Sequence, residues 1–142
     1  MPSWKNEVEN MTIEERSTAY HEKGCNCCQS VLCTLDAYTG LDERTAITVG
    51  YGFGGGLLTG NVCGAVSGGM MAIGAACMNG GDPVEEKPRA VELCEAYQAR
   101  FQERFGTLLC ADILREHEHD LCDTCIAFGA RTAEEIIREY KR

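Results

Sequence analysis

Cysteines are the residues of this chain whose number and spacing point most directly to chemistry. There are ten of them among 142 residues. The first ten residues are polar and acidic and lack the apolar stretch of a secretory signal, so we expect a cytoplasmic protein whose thiols are kept reduced. Adjacent Cys27 and Cys28 cannot pair with each other without severe strain. The cysteine content therefore indicates metal binding, redox chemistry or core packing rather than a disulfide framework.

Two cysteines near the C-terminus, Cys122 and Cys125, form a Cys-x-x-Cys pair. On a helix this spacing puts both sulfurs on one face. Such pairs serve zinc sites, iron–sulfur clusters and dithiol redox chemistry alike, so the pair by itself leaves the three open. Ile126 follows the pair where a c-type haem attachment site would have histidine.

Cys63 lies in the first turn of a predicted apolar helix, where free backbone N–H groups and the helix dipole favour a thiolate over a thiol. Gly64 and Gly68, with three alanines nearby, leave one side of this helix almost bare. That surface would let a bound cluster or another helix approach the backbone closely. Plain packing of small residues is the alternative explanation.

The remaining cysteines divide by their position around each predicted helix. Cys28, Cys77 and Cys94 fall on apolar faces and are expected to be core residues. Cys27 is at the edge of its apolar face, where it could reach a neighbouring helix. Cys33 falls on the opposite side of the same helix, which predicts a position near solvent.

Capping residues and glycine stops predict an all-α fold, because no alternating strand pattern is found. We expect one domain over residues 1–142, a compact bundle of about five to seven helices around the central Gly/Ala-rich apolar helix. Thr132 with Glu135 gives a further capping signal, which could interrupt the last helix near Gly129. The predicted helices cover roughly residues 12–24, 26–38, 42–49, 61–78 (capped by Asn61), 82–106, 108–114 and 121–140, with a polar turn at 116–120.

Charge and pattern exclude several classes of function. The net charge of −9, without any basic cluster, argues against nucleic-acid binding. The charge-free stretch 45–81 lacks the flanking anchors of a membrane span, so a buried central helix is the better interpretation. Gly50, Gly52 and Gly55 match the spacing of a dinucleotide fingerprint, but no predicted βαβ unit surrounds them.

Taken in order, the cysteines resemble a family of redox-active proteins defined by a Cys…CysGlyAlaxxGly…Cys…Cys pattern. The resemblance rests on residues 26–31 (NCCQSV), 63–68 (CGAVSG) and 105–110 (FGTLLC), followed by Cys125 or Cys122. Members are similar to the iron–sulfur module of split-Soret cytochromes. The resemblance implies that Cys27, Cys63, Cys110 and Cys125, with Cys122 as the other choice for the fourth, ligate a cluster.

Three functions remain open at this point. The first is an electron carrier or redox sensor that holds an iron–sulfur cluster through four thiolates. The second is a thiol–disulfide oxidoreductase without metal, in which Cys63 attacks and another of the four cysteines resolves. The third is a structural zinc domain.

Gly64 and Gly68 are expected to let the cofactor approach the backbone of the apolar helix. The bare face of the same helix suggests a homodimer. The redox partner is unknown.

Overall fold

The computed structural model describes residues 3–117 and 121–140, and over these residues the regular secondary structure is helical, without a β-strand. The predicted all-α fold is confirmed. Seven of the nine helices in this part of the chain have eight residues or more, which agrees with the expected number. The helices are α1 Lys5–Val8, α2 Ile13–Glu22, α3 Cys27–Thr34, α4 Asp36–Thr39, α5 Glu43–Gly50, α6 Gly64–Met78, α7 Pro83–Phe105, α8 Cys110–His117 and α9 Cys122–Tyr140.

Side-chain caps fix where four of these helices begin. Thr12 and Asn26 each form a reciprocal capping box with the residue three positions later, at the beginning of α2 and α3. Asp42 caps α5 and Asp82 caps α7. These four helix starts are the predicted ones, because short polar side chains satisfy the free N–H groups of a first turn wherever they precede an apolar segment.

Three local predictions were wrong. The helix predicted over 26–38 is divided into α3 and α4 at Leu35, whose φ of −96° and ψ of 23° leave the helical region. Asn61 does not cap α6, because Cys63 occupies the N-cap position. Helix α9 runs through Gly129 without interruption, and Thr132 is buried within it. Of the predicted turn at 116–120, residues 116 and 117 belong to α8 and the rest lie outside the described residues.

Helix α6 is the centre of the bundle and contacts α3, α7 and α9. Its glycines permit this close packing. A Cβ atom on Gly68 would lie 2.8 Å from the carbonyl oxygen of Cys28 in α3, and one on Gly69 would collide with the ring of Tyr97 in α7. The buried Tyr97 hydroxyl donates a hydrogen bond to the carbonyl of Ala65 at 2.8 Å. The bare face of α6 is therefore covered by helices of the same chain.

An irregular segment connects α5 to α6. It contains a single 3₁₀ turn at Tyr51–Phe53 and a wide turn at Gly56–Gly60, closed by a 2.7 Å hydrogen bond from the Asn61 N–H to the Gly56 carbonyl. Leu57 and Leu58 adopt positive φ angles of 59° and 64° within the wide turn. In the part of the chain that the structure describes, no helix has the length and apolarity needed to cross a membrane.

Candidate functional site: a cluster of cysteine thiols

The first two cysteines of the site are brought together by the packing of α3 on α6. Cys27 is the first residue of α3 and Cys63 is the N-cap of α6. Between them lies Gly64, where a Cβ atom would stand 2.9 Å from the Cβ of Cys27 and 2.8 Å from the backbone nitrogen of Cys28. Only glycine allows the two helix starts to come this close without displacement of one of them.

A small antiparallel bridge places Cys110 beside Cys63. Val62 pairs with Leu109, and the N–H of Cys63 donates to the carbonyl of Leu108 at 2.7 Å. On the other side of the bridge the N–H of Cys110 donates to the carbonyl of Asn61, also at 2.7 Å. Both cysteines are therefore held by backbone hydrogen bonds that join segments distant in sequence.

The first turn of α9 supplies the remaining two sulfurs. The thiol of Cys27 shares hydrogen bonds with Cys122 and Cys63, and Cys63 also accepts a hydrogen bond from Cys125. Cys110 lies close enough to Cys63 and Cys122 to feel their charge. The structure thus brings together all five of the cysteines singled out from the sequence. We call this group, Cys27, Cys63, Cys110, Cys122 and Cys125, the thiol centre.

The pKa of the Cys63 thiol is lowered far below its ordinary value. Hydrogen bonds from Cys125 and Cys27 lower the pKa of its thiol to about 3, against the opposing effect of burial, and the backbone N–H groups of Ala65 and Val66 lower it further. This is the helix-terminus effect expected from the sequence. At neutral pH the metal-free centre therefore contains a thiolate at Cys63.

The partners of this thiolate stay protonated. The pKa of Cys27 is raised by its hydrogen bonds with Cys122 and Cys63 and by burial. The pKa of Cys125 is raised first by its hydrogen bond to Cys63 and then by burial. Burial also raises the pKa of Cys110, and the charges of Cys63 and Cys122 add to that effect. A thiolate at Cys63 thus lies beside the protonated thiols of Cys27 and Cys125, the starting arrangement for either metal ligation or thiol–disulfide exchange.

The chemistry of the donors in the thiol centre fits a soft metal site. Thiolates are the ligands that iron–sulfur clusters and zinc take in proteins. Within residues 3–115 and 121–140, however, no group of three or more His, Cys, Asp or Glu side chains is arranged to hold a single metal ion. A metal would have to displace the shared thiol protons first.

Three of the five cysteines outside the thiol centre were predicted to be core residues, and most of that prediction holds. Cys28 is fully buried behind it, donates to the sulfur of Met71 at 3.6 Å, and has its pKa raised by burial to about 11. Cys77 is buried near the far end of α6, and its neighbour Cys94 is half-buried. The core prediction is confirmed for Cys28 and Cys77 and only in part for Cys94.

The prediction for Cys33 was wrong. Its side chain is only 1% exposed, because α5 covers the face of α3 that the sequence pattern assigned to solvent. There it shares a hydrogen bond with the thiol of Cys25, near the carboxylate of Glu43. The sequence analysis did not predict the contact between Cys25 and Cys33. The one signal for it was the apolar pair Ala46 and Ile47 on α5, the helix that covers Cys33.

Gly64 and Gly68 allow a close approach to the backbone of α6, as expected, but the group that approaches is helix α3. A Cβ on either residue would lie 2.8 Å from backbone atoms of Cys28, its nitrogen for Gly64 and its oxygen for Gly68. Of the two alternatives left open by the sequence, packing of another helix is what these positions show. Their proposed role toward a cofactor stays a prediction.

Comparison with known proteins gives one family. A family model matches residues 25–136, which include all five cysteines of the thiol centre. Its label gives the order Gly-Cys-Ala-x-x-Gly, whereas residues 63–68 of this chain read Cys-Gly-Ala-Val-Ser-Gly. Neither the curated proteins nor the solved structures give a match. The chain belongs to the family described as "Putative redox-active protein (C_GCAxxG_C_C)".

Proposed function

We propose that this protein is a redox protein whose thiol centre binds an iron–sulfur cluster for electron transfer or redox sensing. The observation that carries the proposal is the meeting of five cysteines from α3, the start of α6, α8 and α9 at one place. Ordinary core packing does not require thiols from three separate segments to hydrogen-bond to one another, with a fourth cysteine beside them. Membership of a redox-active family supports the same function.

The residues of the centre supply what such a cluster needs from a protein. Hydrogen bonds connect Cys122, Cys27, Cys63 and Cys125 in that order, and Cys110 lies beside them, so four of these five thiolates would ligate the cluster. A bound cluster supplies one-electron transfer. The N–H groups of Ala65 and Val66, which favour negative charge on Cys63, would stabilise the ligating thiolate and so tune the reduction potential.

Thiol–disulfide exchange is the second candidate, favoured by the contact between the Cys63 thiolate and the Cys125 thiol. Cys63 would attack a substrate disulfide, form a mixed disulfide and release one thiolate. Cys125, after losing its proton, would then attack the sulfur of Cys63 and release the second thiol. The protein would gain one disulfide, and the substrate would gain two electrons and the proton of Cys125, while its other thiolate takes a proton from water.

Metal and sulfide analysis of protein purified without oxygen separates these functions. We expect wild-type protein to contain iron and acid-labile sulfide and to absorb visible light. Cys63→Ser should lose both components, while Cys94→Ser, outside the centre, should keep them. Absence of iron and sulfide from the wild type, even after anaerobic reconstitution, would contradict the cluster. Zinc in their place would instead support a structural site held by the same thiols.

Location and assembly are part of the proposal. We expect the protein to act in the cytoplasm, where the thiols stay reduced, and to form a homodimer. The Gly/Ala face of α6 is used inside the chain, so a dimer would require another surface. Light scattering of the reduced protein measures the mass directly, and a monomer at micromolar concentration would contradict the expected dimer.

A further inference from the structure

We propose that Cys25 and Cys33 form a second redox site, a dithiol that hydrogen peroxide converts to a disulfide. Both side chains are buried, with 5% and 1% of their surface exposed. Their thiols are joined by a hydrogen bond, so that the two sulfurs are already in contact. Neither cysteine was assigned a role by the sequence pattern of the thiol centre.

Backbone contacts hold the two cysteines in this position. Cys25 lies in the turn between α2 and α3, and its N–H donates to the carbonyl of Tyr20 at 3.1 Å. Cys33 belongs to the last turn of α3, where its sulfur lies 3.9 Å from the backbone oxygen of Glu43 in α5. The pair thus lies where α2, α3 and α5 meet.

The surroundings of the pair differ from those of the thiol centre. The carboxylate of Glu43 lies near both sulfurs, and Asp36 is also near Cys33. Glu43 is itself held by the hydroxyl of Tyr20 at 2.7 Å and by the N–H of Trp4 at 3.0 Å. Two carboxylates beside the thiols make a soft-metal site of the kind proposed for the thiol centre a poor match here. A dithiol is the chemistry that these contacts support.

The reaction balances with peroxide as the oxidant. The Cys25 sulfur, the more exposed of the two, attacks one oxygen of hydrogen peroxide, the O–O bond breaks, and sulfenic acid and water form. The sulfur of Cys33 then attacks the sulfenic sulfur and displaces a second water. Two thiols have lost two electrons and two protons in total, and one peroxide has become two waters. Burial favours an oxidant this small.

Peptide mapping tests the proposal on the full, metal-free chain. Reduced protein is treated with hydrogen peroxide, freed of oxidant, unfolded in the presence of N-ethylmaleimide and digested with trypsin. Cleavage after Lys23 and Arg44 releases peptide 24–44, which contains Cys25 and Cys33 together with Cys27 and Cys28. We expect this peptide to carry an internal disulfide that fragment ions assign to Cys25 and Cys33, and dithiothreitol to remove it.

Variants provide the matched comparison. Cys33→Ser should lose the internal disulfide, and Cys77→Ser, another buried cysteine, should retain it. Alkylation of both Cys25 and Cys33 in peroxide-treated wild-type protein would overturn the proposal, as would fragment ions that link Cys25 to a different cysteine. The wild-type assignment decides the matter even if Cys33→Ser does not fold. The result is also independent of whether the thiol centre binds iron.

Discussion

Replacing Gly64 by alanine places a methyl group between α3 and α6, where the two helices hold Cys27 and Cys63. The new Cβ would lie 2.8 Å from the backbone nitrogen of Cys28, 2.9 Å from the Cβ of Cys27 and 3.2 Å from the carbonyl oxygen of Phe53. Two of these three atoms belong to the backbone and cannot rotate away. The helices must therefore separate, and the sulfur contacts of the thiol centre must loosen with them.

The size of the effect follows from two opposing contributions. Alanine is favoured over glycine within a helix by about 1 kcal/mol, and overpacking of a tight core costs about 1–3 kcal/mol. We expect Gly64→Ala to lower the free energy of unfolding by about 1 kcal/mol. Gly74→Ala is the matched control in the same helix, because a Cβ there meets nothing within 4 Å. It should raise the free energy of unfolding by up to about 1 kcal/mol.

Urea unfolding of the reduced proteins, followed by circular dichroism, measures both variants. We expect Gly64→Ala to be less stable and Gly74→Ala more stable than the wild type, with up to about 2 kcal/mol between the two variants. Gly64→Ala, and not Gly74→Ala, should also change the rate at which Cys63 is alkylated. Equal stability of the two variants would refute the close approach of α3 to α6 on which the geometry of the site depends.

Three further predictions concern single groups. The pKa of Cys63 is lowered to about 3, so its alkylation rate should stay nearly constant from about pH 5 to 8. Burial raises the pKa of Cys94, so its alkylation rate should rise about tenfold per pH unit over the same range. Mass spectrometry measures both rates, and parallel pH profiles would argue against a thiolate at Cys63. Tyr97→Phe removes the buried hydrogen bond to Ala65 and should cost about 1 kcal/mol in urea unfolding, and an unchanged midpoint would contradict this. Leu58→Gly should raise stability by up to about 1 kcal/mol, because Leu58 has a φ of 64° and is 73% exposed; a less stable variant in thermal unfolding would show that its side chain makes a needed contact.

Helix starts were predictable because they depend on local chemistry. Thr12, Asn26, Asp42 and Asp82 each satisfy free N–H groups within three residues, so the sequence near each cap contains the whole cause. Only part of the thiolate character of Cys63 was predictable in this way. The backbone N–H groups of the helix that begins one residue later lower its pKa, but the larger effect comes from Cys125 and Cys27, which are distant in sequence.

Contacts between distant segments could not be worked out in this way. Cys110 is held at the site by the bridge between Val62 and Leu109. This bridge is made by backbone hydrogen bonds, which the order of side chains in the sequence does not predict. Only the family resemblance pointed to Cys110. Cys33 was assigned to solvent because a helix face opposite the apolar stripe is usually exposed. Tertiary packing of α5 on that face reversed the outcome.

Disulfide mapping of the metal-free protein tests most directly whether Cys63 and Cys125 form one redox unit. The reduced chain is oxidised with diamide, alkylated after unfolding and digested with trypsin, which separates Cys63 in peptide 45–89 from Cys125 in peptide 116–131. We predict a disulfide through Cys63 that joins peptide 45–89 either to peptide 116–131 through Cys125 or to peptide 24–44 through Cys27. Recovery of Cys63 only as an alkylated thiol, after the other cysteines have oxidised, would contradict the existence of the thiol centre.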